Sequence, residues 1–174
     1  MEQQDFLARL VSWELPQGPF REPEDIERGM QEVAEELGAE AAPRLAALAA
    51  TLEREQSPHR DVFLEFMGIY AAAFPEALAA GLLQHLSSDG PPLVVTLLGA
   101  TRRGDASHRL LATLNLDAAS DELLEALACA LGELGGEAAS EALRALIGRP
   151  GLSSRVRQEV EIALQNLDCA PRPS

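Results

Sequence analysis

The sequence predicts an all-α protein built as an array of stacked helical hairpins. Ala, Leu and Glu favour helices and are abundant, whereas aromatic residues are limited to five Phe, one Trp and one Tyr. Apolar residues recur at helical spacing, and Pro, Gly or small polar residues interrupt them at regular intervals. The C-terminal half also repeats itself every 33 residues, a period typical of stacked helix pairs.

The repeat is visible in two registers. In the first, six residues recur unchanged: Leu98-Gly99, Ala106-Ser107, Leu110 and Ala112 become Leu131-Gly132, Ala139-Ser140, Leu143 and Ala145. In the second, apolar positions fall on apolar positions: Leu123, Leu127, Ala130, Leu131 and Leu134 match Val156, Val160, Ala163, Leu164 and Leu167. A Leu- and Ala-rich chain gives fewer matches by chance, so we interpret both as one helical array.

The interruptions predict ten helices. Residues 2–13 form a short amphipathic helix that caps the array, and Pro16, Gly18 and Pro19 make residues 14–22 an irregular connection. The remaining helices are expected at 23–37, 41–55, 58–73, 75–87, 91–102, 105–115, 121–134, 137–148 and 154–167.

Individual residues justify these boundaries in order. Pro23 suits a first helical position, Ser57-Pro58 an N-cap followed by Pro, and Phe74-Pro75 a break between two apolar helices. Ser120 and Ser153 are N-caps for the later helices. Glycines that allow a turn or a close backbone approach recur in phase near the ends of first helices, at Gly38, Gly68, Gly99 and Gly132.

We expect one domain over residues 1–174. Residues 1–22 form the N-terminal capping helix and its Pro-rich connection, and residues 23–88 form two degenerate hairpins. The clear repeats occupy residues 91–168, and residues 169–174 form a flexible tail.

The clear repeats carry a recognisable pattern. A first helix contains Val156-Arg157 and Ala163-Leu164, and the turn and second helix contain Ala130-Leu131-Gly132, Leu134-Gly135, Leu143, Leu146 and Ile147. This pattern resembles HEAT-like repeats, especially the short subgroup found in phycobilisome lyases. The resemblance implies a right-handed α-solenoid of about four hairpins plus terminal capping helices, whose second helices line a concave binding face. Leu124 and Gln165-Asn166 depart from the pattern, and no functional residue is carried over.

Charge and composition exclude several partner classes. The formal charge is -14, from 28 acidic and 14 basic residues, so the averaged field repels nucleic acid and anionic membranes and favours a basic protein. The sequence begins without an export signal, no apolar stretch is long enough to span a bilayer, and the two cysteines lack metal or disulfide spacing. These features predict a cytoplasmic protein.

The candidate partner-binding residues lie around the third hairpin. Arg102, Arg103, His108 and Arg109 cluster at a predicted turn and the helix after it, where they could clamp a carboxylate or phosphate or simply be solvated. On the next second helix, Glu141 and Arg144 flank the core stripe and complete the candidate set. A looser basic region comprises Arg144, Arg149, Arg155 and Arg157.

Catalytic and cofactor motifs are missing from the sequence. The three histidines have no metal-ligand spacing, the glycines after Leu131 lack the Lys-Ser/Thr of a phosphate loop, and no GxSxG elbow occurs. Cys129, in a predicted core register, is expected to be a small apolar filler. The sequence therefore predicts neither an enzyme nor a cofactor.

These observations favour a non-enzymatic adaptor or regulator that binds a protein partner through its second helices. Two alternatives remain: an acidic immunity or inhibitor protein that neutralises a basic enzyme, and a lyase-type or chaperone-type subunit that handles a cofactor. The Leu-rich terminal helices equally support a homodimer formed through the ends of the array.

Overall fold

The computed structural model describes residues 23–55 and 60–169, and every regular element within these ranges is helical. The all-α prediction is confirmed there. The helices are α1 (Pro23–Leu37), α2 (Ala42–Glu55), α3 (Arg60–Ala73), α4 (Pro75–Leu83), α5 (Pro92–Ala100), α6 (Ala106–Thr113), α7 (Asp121–Leu134), α8 (Gly136–Ile147) and α9 (Ser154–Cys169), with a short 3-10 turn at Ala39–Ala41. The predicted helix at 2–13, the connection at 14–22 and residues 170–174 lie outside the described residues.

Three predicted helices are too long, and the one expected at 105–115 covers only Ala106–Thr113. The helix expected at 75–87 ends at Leu83, because the amides of Gln84 and His85 bond to the carbonyls of Gly81 and Leu82 in a tightened last turn. The helix expected at 91–102 ends at Ala100, and Arg102 turns the chain with a φ of 51°. For these last two helices, helix-forming residues continue past the end, so the sequence gives no stop signal at the true boundary.

Each helix packs against the next helix but one along the chain. The odd-numbered helices contact one another in order, α1 with α3, α3 with α5, α5 with α7 and α7 with α9. The even-numbered helices do the same, α2 with α4, α4 with α6 and α6 with α8. This alternation gives the described residues one continuous apolar core.

The 33-residue repeat recurs in the atomic contacts. Ser120 Oγ accepts from the Leu123 amide at 3.2 Å, and Ser153 Oγ accepts from the Val156 amide at 3.3 Å, so α7 and α9 begin with the same cap. A Cβ on Gly99 would lie 2.6 Å from Ala130 Cα. A Cβ on Gly132 would lie 3.2 Å from Ala163 Cα, so a helix backbone approaches both glycines at equivalent places.

The first two hairpins are held differently, by aromatic residues. Tyr70 is fully buried, with its ring centroid 5.1 Å from that of Phe74 and 6.0 Å from that of Phe66. Its hydroxyl donates to the Gly38 carbonyl at 2.6 Å, which ties α3 to the turn that follows α1. Aromatic packing here adds to one close glycine–alanine contact, because a Cβ on Gly81 of α4 would lie 3.0 Å from the Ala42 carbonyl oxygen of α2.

The expectation for Cys129 is wrong. Cys129 is exposed on α7, because the buried side of that helix is already filled by Leu127, Ala130 and Leu131. The residue 33 positions later, Ile162, is also exposed, at 42% of its full surface. This position of the repeat therefore faces outward in both helices.

Candidate functional site

The Arg103 side chain is held by contacts within the protein. Its guanidinium donates to both oxygens of Asp105 at 3.0 Å and to Glu76 on α4 at 2.6 Å, which bridges the α5–α6 turn to α4. The hydrogen bonds from Arg103 hold the pKa of the Asp105 carboxyl below its usual range. Arg103 therefore fixes the turn, and each of its three guanidinium nitrogens already donates one hydrogen bond.

Arg102 lies beside it in a strained conformation. Its φ of 51° is in the left-handed region, which side chains with a Cβ seldom adopt. Its Nε donates to Glu133 at 3.2 Å, while 77% of the side chain stays exposed. Gly135 takes the equivalent place 33 residues later with a φ of 70°. Arg102 thus occupies a glycine position of the repeat.

The other four predicted residues lie on adjacent even-numbered helices. His108 and Arg109 are exposed on α6, and Glu141 and Arg144 are exposed on α8, which α6 contacts. Beneath them Leu110 and Leu143 are fully buried, as expected for the core stripe. Within the described part of the chain, no hydrogen bond or ion pair involves any of the four side chains.

Among the described side chains, the arginines without a partner lie on one set of helices. Across residues 23–55 and 60–169, hydrogen bonds or ion pairs hold these arginines on odd-numbered helices or in turns: Arg28, Arg102, Arg103, Arg149, Arg155 and Arg157. Three arginines lack such a partner among the described residues, and all are on even-numbered helices: Arg44 on α2, Arg109 on α6 and Arg144 on α8. Arg44 is not among the residues that the sequence predicts for the site.

The looser basic region at the C-terminal end is largely occupied by internal contacts. Arg149 donates to the Leu116 carbonyl at 2.8 Å and to Asp117 at 3.4 Å, so it joins two successive turns of the array. Arg155 pairs with Glu125 at 3.0 Å, and Arg157 donates to the Ile147 carbonyl at 3.4 Å. Of this region, Arg144 alone has no such contact with another described residue.

A groove that the sequence analysis missed runs between α1 and α3. Its volume is about 400 Å³, and its lining comprises Glu27, Gln31, Ala34, Glu35, Gly68, Ile69, Ala72 and Ala73. The α1 side presents three exposed polar residues, at 27, 31 and 35, and the α3 side presents small ones. The available signal was the i, i+4, i+8 spacing on α1, which places those side chains on one helix face.

Metal-ligand clusters and the Cys129 thiol are the next candidate features among the described residues. They contain no group of three or more His, Cys, Asp or Glu side chains able to hold a metal ion. Partial burial, with Glu159 and Glu133 nearby, raises the pKa of the Cys129 thiol, which disfavours the reactive thiolate. No helix among them is both long and apolar enough to cross a membrane.

Comparisons with known proteins leave the residues themselves as the basis for assigning a function. No family model, curated protein or solved structure matches the chain.

Proposed function

We propose that this protein is a non-enzymatic adaptor or regulator, built as a right-handed α-solenoid of HEAT-like hairpins, that binds a partner protein through its even-numbered helices. The repeated caps at Ser120 and Ser153 and the repeated close approaches at Gly99 and Gly132 support the solenoid. Packing of each helix against the next but one also supports it.

One observation carries the choice of binding surface. Arg109 and Arg144 are exposed on neighbouring helices, and their side chains have no hydrogen bond or ion pair with any other described residue. Elsewhere in the described chain, most arginines are held by carboxylates or carbonyls. A guanidinium with free donors binds carboxylates in a planar, two-pronged fashion, and arginine is enriched at protein interfaces.

The neighbouring residues define the kind of contact. His108 and Glu141 occupy equivalent positions on α6 and α8, so the face presents an imidazole, a carboxylate and two guanidiniums within one helix pair. A mixed-charge surface of this kind selects a partner by its pattern of opposite charges more than by total charge. The residues contribute contact, with no chemical step assigned to them.

The test is affinity capture with matched variants. Tagged protein is expressed in its native cell, captured at low salt, and all retained proteins and small molecules are identified by mass spectrometry. We expect one dominant protein that Arg109→Ala/Arg144→Ala loses and Arg28→Ala/Arg155→Ala retains, since both variants remove two positive charges from exposed sites. Equal loss from both variants, or a copurifying small molecule without a stoichiometric protein, would contradict the proposal.

A second candidate, an acidic inhibitor or immunity protein, is favoured by α1. That helix carries six carboxylates, Glu24, Asp25, Glu27, Glu32, Glu35 and Glu36, against the single Arg28. Such a complex would form fast and weaken steeply with salt. A strongly basic enzyme captured through α1, and indifferent to Arg109→Ala/Arg144→Ala, would identify this function instead.

A further inference from the structure

We propose that the groove between α1 and α3 is a second docking surface, which takes a basic helix of a partner protein. The groove is separate from the α6–α8 face, so the inference is independent of the adaptor function proposed above, and it shares α1 with the second candidate function. Its evidence is the groove itself, the charge of one wall, and a glycine on the other.

The first wall sets the charge of the occupant. Glu27 and Glu35 are exposed at the two ends of the lining segment of α1, with Gln31 between them. Eight residues of helix place the two carboxylates about 12 Å apart along the axis. A ligand with cations at the same spacing pairs with both, and the overall charge of -14 attracts such a ligand from solution.

The second wall sets the shape of the occupant. Gly68, Ala72 and Ala73 on α3 line the groove, beside the half-buried Ile69. Small residues on a helix surface let a second helix pack at the short end of the usual 8–10 Å range between axes. A helix whose own side chains are small on one edge and basic on the next fits both walls.

Gly68 is the helix glycine that packing among the described residues does not explain. A glycine inside a helix costs about 0.5–1 kcal/mol relative to alanine. Gly99 and Gly132 each accommodate the backbone of an adjacent helix, but a Cβ on Gly68 would meet no described atom within 4 Å. We infer that the backbone of the docked helix approaches Gly68 as α7 approaches Gly99.

The probe for the test is a labelled, alanine-based helical peptide with arginines at i, i+4 and i+8. Backbone amide NMR spectra of the full-length protein follow its titration. We expect changes in amide chemical shift concentrated on α1 and α3 around the groove. A control peptide in which glutamates replace the arginines should cause none. Shifts spread equally over the acidic start of α7, at Asp121 and Glu122, would overturn the proposal, because charge alone would then explain binding.

Two variants separate the groove from general charge. Glu27→Gln/Glu35→Gln should lower the affinity for the peptide about fivefold to tenfold at low salt, as expected for the loss of two exposed ion pairs. Glu32→Gln/Glu65→Gln removes two exposed carboxylates of the same helices that do not line the groove, and should leave the affinity nearly unchanged. Equal effects of the two variants would overturn the proposal.

Gly68 supplies the steric test. Gly68→Ala should raise the midpoint of thermal unfolding by a few degrees and lower the affinity for the peptide. Gly68→Leu should abolish peptide binding while the protein stays folded. Ala80→Leu, at an exposed position of α4, is the matched control for added bulk and should bind normally. Unchanged binding by Gly68→Leu would overturn the proposal. So would a dimer that Gly68→Leu dissociates, since a second copy of the chain would then be the occupant.

Discussion

At the scale of single residues, Arg102 carries a cost that its repeat counterpart avoids. Its φ is 51°, whereas Gly135 holds the equivalent place with a φ of 70°. A left-handed conformation costs an L-residue about 1–2 kcal/mol. Glycine avoids this cost in the folded state, but its greater conformational freedom in the unfolded chain offsets part of the gain in stability. We expect Arg102→Gly to raise the free energy of unfolding by about 0.5–1 kcal/mol, measured by denaturant unfolding.

The control for this prediction is Arg102→Ala. It removes the exposed ion pair with Glu133 but keeps the strained backbone, so its free energy of unfolding should stay within about 0.5 kcal/mol of the parent. If glycine and alanine at this position gave the same stability, backbone strain at residue 102 would be ruled out.

Tyr70 is the residue whose side chain connects the two degenerate hairpins. Its buried hydroxyl donates to the Gly38 carbonyl, and Phe cannot replace that bond. Tyr70→Phe should therefore lower the free energy of unfolding by about 1–2 kcal/mol. Equal denaturation midpoints for the variant and the parent protein would contradict this role.

Tyr70 also predicts a loss of stability at high pH. Burial, with a smaller contribution from Glu40, raises the pKa of its phenol to about 12 in the folded protein. Because the folded value lies above the unfolded one of about 10, the stabilisation is complete below pH ~10 and is lost as pH rises toward ~12. Tyr70 is the sole tyrosine of the sequence, so phenolate absorbance reports its ionisation directly. Tyr70→Phe should remove this part of the pH dependence, and an ordinary phenol pKa would refute it.

At the scale of elements, three helix glycines form a graded series. A Cβ would lie 2.6 Å from backbone at Gly99, 3.1 Å from the nearest atom at Gly132, and in open space at Gly68. Substitution by alanine should lower the free energy of unfolding by about 1–3 kcal/mol at Gly99, change it by less than about 1 kcal/mol at Gly132, and raise it by about 0.5–1 kcal/mol at Gly68. Calorimetric unfolding of the three variants tests the order, and any other ranking contradicts the packing described here.

The same elements show what local sequence can predict. Pro23, Ser120 and Ser153 correctly predict where their helices begin, since a fixed φ or a capping hydroxyl acts within one turn. The predicted ends of α4 and α5 lie beyond the observed ones, because no glycine or proline follows at once and the tightened turns depend on packing. For Gly68 the predicted turn or close backbone approach is wrong, because Gly68 lies within α3 and a Cβ there would meet no described atom within 4 Å.

At the scale of the whole molecule, the candidate site could be predicted only in part. The exposed places of His108, Arg109, Glu141 and Arg144 follow from helical periodicity around buried leucines. The pairing of Arg103 with Glu76 does not, because it joins residues 27 positions apart on separate hairpins. The groove between α1 and α3 could not be predicted either, since it exists only after the two helices pack.

Hydrogen exchange is the sharpest test of whether the even-numbered helices bind a partner. The captured partner is mixed with the full-length protein, and backbone amide exchange is compared between the free and bound states. Binding through the proposed face predicts slower exchange in α6 and α8, with Arg109→Ala/Arg144→Ala abolishing the change. Protection confined to the odd-numbered helices, or unaffected by that variant, would contradict it.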